Sequence, residues 1–142
     1  MTFHLEVLRK RWEEMQVNLA LLDDAAALPL SEFSTTADKV EATMFRLIVC
    51  IETAQAICFH LCARVSTATP DSPASCFESL AKSGLFSDEL AVSLASLCRF
   101  RNLLVHRYWS IDAQQVHSFL PEGIRDLRTY TESTMRYAGG QA

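Results

Sequence analysis

Glycine and proline are scarce, four of each in 142 residues, and alternating β-branched runs are nearly absent. That shortage leaves little to build turns and strands from, so helices should dominate. The N-terminus, Met1-Thr2-Phe3-His4-Leu5-Glu6, has neither a basic region before an apolar run nor a small-residue cleavage site. No later stretch of membrane-spanning length is free of charge, and a cytoplasmic protein with no membrane partner is expected. There is no excess of positive charge either: 13 Lys and Arg face 17 Asp and Glu, for a net charge of −4. The chain as a whole therefore lacks the basic footprint of a nucleic-acid binder, and charge has to be judged locally. The five cysteines are odd in number and include no Cys-x-x-Cys pair, which argues against a disulfide framework and for reduced core thiols. Cys58 and Cys62 share a helix face by spacing while His60 points elsewhere. No further ligands stand at suitable spacing, so no metal site is read.

What is present is apolar periodicity. With 49% hydrophobic and 21% charged residues the chain suits one domain, placed at 1–138 with a frayed tail at 139–142. Leu5, Leu8, Trp12, Met15, Leu19 and Leu22 recur at steps of three and four along a first long helix. After a break at Leu28-Pro29-Leu30-Ser31, a second helix should run from Asp38 to Val65. Ser66 to Pro73 reads as a loop, and a short helix through Phe77 and Leu80 should stop at Gly84, a natural left-handed cap. Ser87, Asp88 and Glu89 open the next helix with a hydroxyl cap and first-turn acids. A last helical segment should start at Ser110 or Asp112 and be broken or restarted by Pro121. The expected fold is all-α, an up-and-down bundle of four to five helices.

One stretch carries chemistry. Arg99, Arg101 and Arg107 surround His106 in a run without any acid between Glu89 and Asp112, a local cationic site on an acidic body. Attack of a ribose 2′-hydroxyl on the adjacent phosphate needs proton transfer near neutral pH and donors for the extra charge on a pentacoordinate phosphorus. Histidine and arginine are the residue types that supply these. The scheme requires no metal, and the usual carboxylate clusters are missing. Five residues of regular helix set Arg101 and His106 roughly 140° apart, so they share a face only if the helix ends between them. The plain alternative is that both are surface residues near a helix end, where cations suit the dipole.

Arg101 and His106, separated by four residues, with Tyr108 two further on, give Arg-x4-His-x-Tyr. The block Phe100-Arg101-Asn102-x-Leu104-Val105-His106-x-Tyr108, followed by Ile111-Asp112, resembles the HepT-like HEPN ribonuclease toxins of HepT/MntA toxin–antitoxin pairs. Phe77-x-x-Leu80 and Gly84-Leu85-Phe86 match the family's plan more loosely. The resemblance implies a two-fold homodimer whose motif helices meet across the axis and build one cleft. It implies an endoribonuclease acting on RNA, not DNA, with Arg101 and His106 catalytic and Arg107 supporting. It also implies an MntA-type nucleotidyltransferase antitoxin that uses ATP and magnesium to place AMP on Tyr108. Cleavage itself would need no cofactor. Asn102 has two readings, a group that holds His106 or a phosphate, or a polar turn residue. Trp109 is either a base-stacking platform or a packing residue. The competing function is a non-catalytic HEPN dimer that serves as binding partner of a nucleotidyltransferase.

Overall fold

The structure, a computed structural model, describes residues 4–65 and 70–141. Among these there are six α-helices and no strand: α1 (Leu5–Ala27), α2 (Leu30–Phe33), α3 (Ala37–Val65), α4 (Pro73–Lys82), α5 (Asp88–His106) and α6 (Ala113–Gln141). A single 3-10 turn, Tyr108–Ser110, separates the last two. The bundle is the expected one, with α2 added as one turn inside the anticipated break.

The stripes read from spacing are the ones buried. Leu8, Trp12, Met15, Leu19 and Leu22 on α1 face Leu47, Ile51, Ala54, Cys58 and Leu61 on α3 across a shared core. Each fully buried Leu or Ile side chain is worth about 1.5–3 kcal/mol over an exposed one. Helix α3 carries the chain's most apolar stretch and by length and composition could cross a membrane. Here it is the central helix, in contact with α1, α4, α5 and α6. Fully buried Tyr130 ties α6 to it by donating its hydroxyl to the Ala54 carbonyl at 2.8 Å, and burial pushes its phenol well above the ordinary range. Arg128 grips Asp23 with both Nη atoms, joining α6 to α1 at the surface.

The caps follow local chemistry. Ser87 Oγ accepts from the Leu90 amide, and Ser72 and Ser75 form a reciprocal box around Pro73 at the first helical position. The expected loop loses Pro73 to α4, and its residues 66–69 lie outside those described. Gly84 follows α4 with φ +91°, a conformation that costs a side-chain-bearing residue but not glycine. Asp112 is the start of the last helix: its Oδ1 accepts from the Gln115 amide while Gln115 Oε1 accepts from its own.

Three expectations change. Pro121 does not break α6, which runs unbroken through it. Val116 and Leu120 before the proline and Ile124, Leu127 and Tyr130 after it are buried on one continuous face. Burying that face outweighs the roughly 3 kcal/mol a proline costs in a helix interior. Helix α6 also extends to Gln141, with Ala138 fully buried, across residues read from sequence as a frayed tail; Ala142 lies outside the described residues. Finally, Cys58 and Cys76 are joined as a disulfide where reduced thiols were expected. Packing of α3 on α4 brings their Cα atoms to 6.3 Å, a pairing that spacing cannot foresee.

Cys50, Cys62 and Cys98 stay free and buried. Burial pushes the Cys50 thiol up to about 12 and raises the other two as well, so little thiolate forms at pH 8. A thiol-specific chromogenic reagent at pH 8 should therefore find no fast-reacting group in the native chain. It should find three after unfolding in denaturant and all five after reduction. Five thiols before reduction would contradict the disulfide.

Candidate functional site

The last two turns of α5 and the 3-10 turn behind it present the motif. Phe100 anchors its start by stacking on Phe119 of α6, ring centroids 4.1 Å apart. Gly123 makes room for that pair, since a Cβ there would meet the Phe119 ring at 2.7 Å. Leu104 is buried and fixes the rotation of the helix, whereas Leu103 and Val105 on either side of it stay exposed. The Arg107 amide closes the helix on the Leu103 carbonyl at 2.8 Å. Ser110 then donates through both its amide and its hydroxyl to the Arg107 carbonyl, which shapes the turn.

Helix α5 ends at His106, so it does not end between Arg101 and His106. The geometric condition for a shared face is not met, and within one chain the two side chains leave the helix on sides roughly 140° apart. Arg101 is instead brought to α3. Its Nε and Nη2 donate to Glu52 Oε2 at 3.3 and 3.0 Å, and its Nη1 donates to Asn102 Oδ1 at 3.1 Å. Asn102 thus contacts Arg101, neither of the partners considered from sequence. Glu52 went unnoticed because it lies 49 residues upstream in an apolar helix and belongs to no motif. It also places an acid beside a run that has none in sequence.

His106, Arg107, Tyr108 and Trp109 are all exposed. Among the described residues the His106 ring has no hydrogen-bond or ion-pair partner. Tyr108 and Trp109 meet edge to face at 5.4 Å, with 61% and 69% of their surfaces open, so Trp109 is not a core residue of this chain. Tyr108 borders a groove of about 490 Å3 whose other walls include Val40, Met44, Phe45, Leu104 and Ile111. On α3 the residues Phe45, Val49, Glu52, Ala56 and Phe59 follow at steps of four and three. They form a second stripe, opposite to the core, that the chain's own helices do not bury, with Phe45 65% exposed. No group of three or more His, Cys, Asp or Glu suited to a metal occurs among the described residues.

The family model for ribonuclease HepT-like proteins matches residues 15–134, which takes in part or all of every helix of the bundle and the whole motif. The chain belongs to the HepT-like ribonuclease family. Solved structures share its fold at low identity. The tri-AMPylated HEPN toxin of Shewanella oneidensis in complex with MNT antitoxin superposes with a TM-score of 0.82 at 17% identity, covering 92% of this chain and 97% of that one. A mutant MntA–HpeT toxin–antitoxin structure gives 0.82 at 17% identity over 92% and 98%. A toxin–antitoxin structure with AMP-PNP gives 0.80 at 16% over 90% and 97%. No curated protein matches the chain. In this HepT-like chain neither Arg101 nor His106 belongs to the core. Arg101→Ala and His106→Ala should each keep the parent's helical circular dichroism and change the unfolding free energy by no more than about 1 kcal/mol, measured in urea. Loss of fold in either would return that residue to a structural role.

Proposed function

We propose that this HepT-like chain is the toxin of a HEPN/MNT toxin–antitoxin pair, a metal-independent endoribonuclease that works as a two-fold dimer and is silenced by AMP placed on Tyr108. The observation that supports it most is the exposure of His106, Arg107 and Tyr108 at the end of α5, with the half-buried Arg101 held by Glu52 just before them.

A single chain points Arg101 and His106 apart, so a cleft that uses both gains from a second copy. The unburied apolar stripe on α3, next to the Arg101–Glu52 contact, is the kind of surface a second copy covers. In such a cleft one imidazole takes the proton of a ribose 2′-hydroxyl, and the 2′-oxygen bonds to the neighbouring phosphorus. The bond to the 5′-oxygen breaks, and that oxygen receives a proton from the imidazolium across the two-fold axis. Arg101 stabilises the added negative charge on the phosphoryl oxygens. The products are a 2′,3′-cyclic phosphate and a 5′-hydroxyl, with no metal in the sequence of steps.

Tyr108 stands two residues after His106 with its ring in solvent, where a nucleotidyltransferase of MntA type, using ATP and magnesium, can reach it. Each AMP adds about one negative charge and the bulk of a nucleotide at the mouth of the cleft, which opposes RNA phosphate on both counts.

The purified chain should scatter light as a dimer at micromolar concentration and cut RNA in the presence of a metal chelator. Arg101→Ala and His106→Ala should abolish cutting. Incubation with ATP, magnesium and the cognate transferase should add AMP to the intact mass and stop cleavage, and Tyr108→Phe should gain no mass. A monomer sinks the shared cleft, and a mass gain that survives Tyr108→Phe places the modification elsewhere. A folded dimer that binds the transferase but cuts nothing makes the chain a non-catalytic partner.

A further inference from the structure

Arg101 is not a free cation in the site. It is held, and the way it is held has consequences for what it can still bind. A guanidinium has a side edge, Nε with Nη2, and an outer edge, Nη1 with Nη2. Glu52 Oε2 takes the side edge, at 3.3 and 3.0 Å, and Asn102 Oδ1 takes one N–H of Nη1 at 3.1 Å. One N–H of each Nη is left, so the outer edge is still able to hold two oxygens of a phosphate in a fork. Glu52 and Asn102 approach from different elements, α3 and α5, and together fix both the position and the rotation of the group.

Stability does not account for the contact. Within a single chain the Arg101 side chain is 26% exposed and that of Glu52 46%, and an ion pair so open to water is worth about 0–1 kcal/mol. Glu52 also interrupts an apolar stripe, between Val49 and Ala56, and puts a negative charge directly beside the arginine proposed to meet a phosphate. A carboxylate there weakens RNA attraction, so it has to return something else.

We propose that Glu52 is a positioning residue: it clamps the side edge of the Arg101 guanidinium so that the outer edge is presented, preorganised, to the reacting phosphate. This deepens the ribonuclease reading and rests on it for its kinetic consequence, while the clamp itself is testable without activity.

Two measurements separate these. In nitrogen-15 NMR of the dimeric chain the Arg101 Nε–H resonance, assigned by its loss in Arg101→Lys, should exchange slowly with solvent. It should exchange fast in Glu52→Ala and keep part of its protection in Glu52→Gln, which retains one acceptor oxygen. Unchanged exchange in Glu52→Ala overturns the clamp whether or not the protein cuts RNA. In steady-state cleavage Glu52→Ala should lower kcat on the order of ten- to a hundred-fold. KM should stay the same or fall, because removal of an anion favours RNA, and Glu52→Gln should recover part of the loss in kcat. A residue that merely supported the fold would not split kcat from KM or respond to glutamine in this way. A kcat that rises in Glu52→Ala would make Glu52 a competitor for Arg101 and overturn the proposal. A parent chain that cuts no RNA while its Nε–H stays protected defeats the ribonuclease reading and leaves the clamp standing.

Discussion

Helix α3 has to satisfy two environments with one sequence. Its inner stripe, Leu47, Ile51, Ala54, Cys58 and Leu61, is enclosed by α1, α4, α5 and α6, and the remaining helices take their places from it. Tyr130 hydrogen-bonds to its backbone at Ala54, the disulfide fastens α4 to it at Cys58, and Arg101 reaches back to it at Glu52. Its outer stripe is apolar again at Phe45, Val49 and Phe59, with Glu52 as the one charge among them. The inner burial sets where α5 can lie, and the position of α5 sets where the motif is displayed. Disturbing the α3 core would therefore reach the site without touching a motif residue.

Because α5 is pinned by Leu94, Leu97, Cys98 and Leu104, it stays helical through His106, and Arg101 and His106 leave it on different sides. The chain thus has the reagents for phosphoryl chemistry but does not converge them within one copy. On the proposed reading an acidic protein needs its cations concentrated to meet RNA, and the proposed two-fold arrangement would double Arg101, His106 and Arg107 over one small area although each chain carries a net charge of −4. Tyr108 and Trp109 are likewise exposed and take no part in the core.

Most of the fold was legible because helices write their buried face into local spacing. The α1 and α3 stripes, the Ser87 cap and Gly84 depend on residues within a turn or two of one another. What was not legible depends on packing between distant segments. Pro121 reads as a breaker locally, yet the continuous stripe from Val116 to Ala138 overrides it. Cys58 and Cys76 read as separate thiols until α4 folds onto α3. The motif itself stands in one short run of sequence, whereas the contact of Arg101 with Glu52, 49 residues away, could not be read, because an ion pair across helices leaves no periodic trace.

The chemistry of the scissile bond is the most direct point of test. An RNA oligonucleotide with a single 2′-deoxy or 2′-O-methyl substitution at the cleaved position, compared with the unmodified strand and with mass analysis of the fragment ends, isolates the 2′-hydroxyl as nucleophile. Attack by that hydroxyl gives cyclic-phosphate and 5′-hydroxyl ends on the unmodified RNA and no cut at the blocked position. Cleavage that continues at the blocked position, or that leaves a 3′-hydroxyl, would mean water or another nucleophile attacks the phosphate and would contradict the roles given to His106 and Arg101.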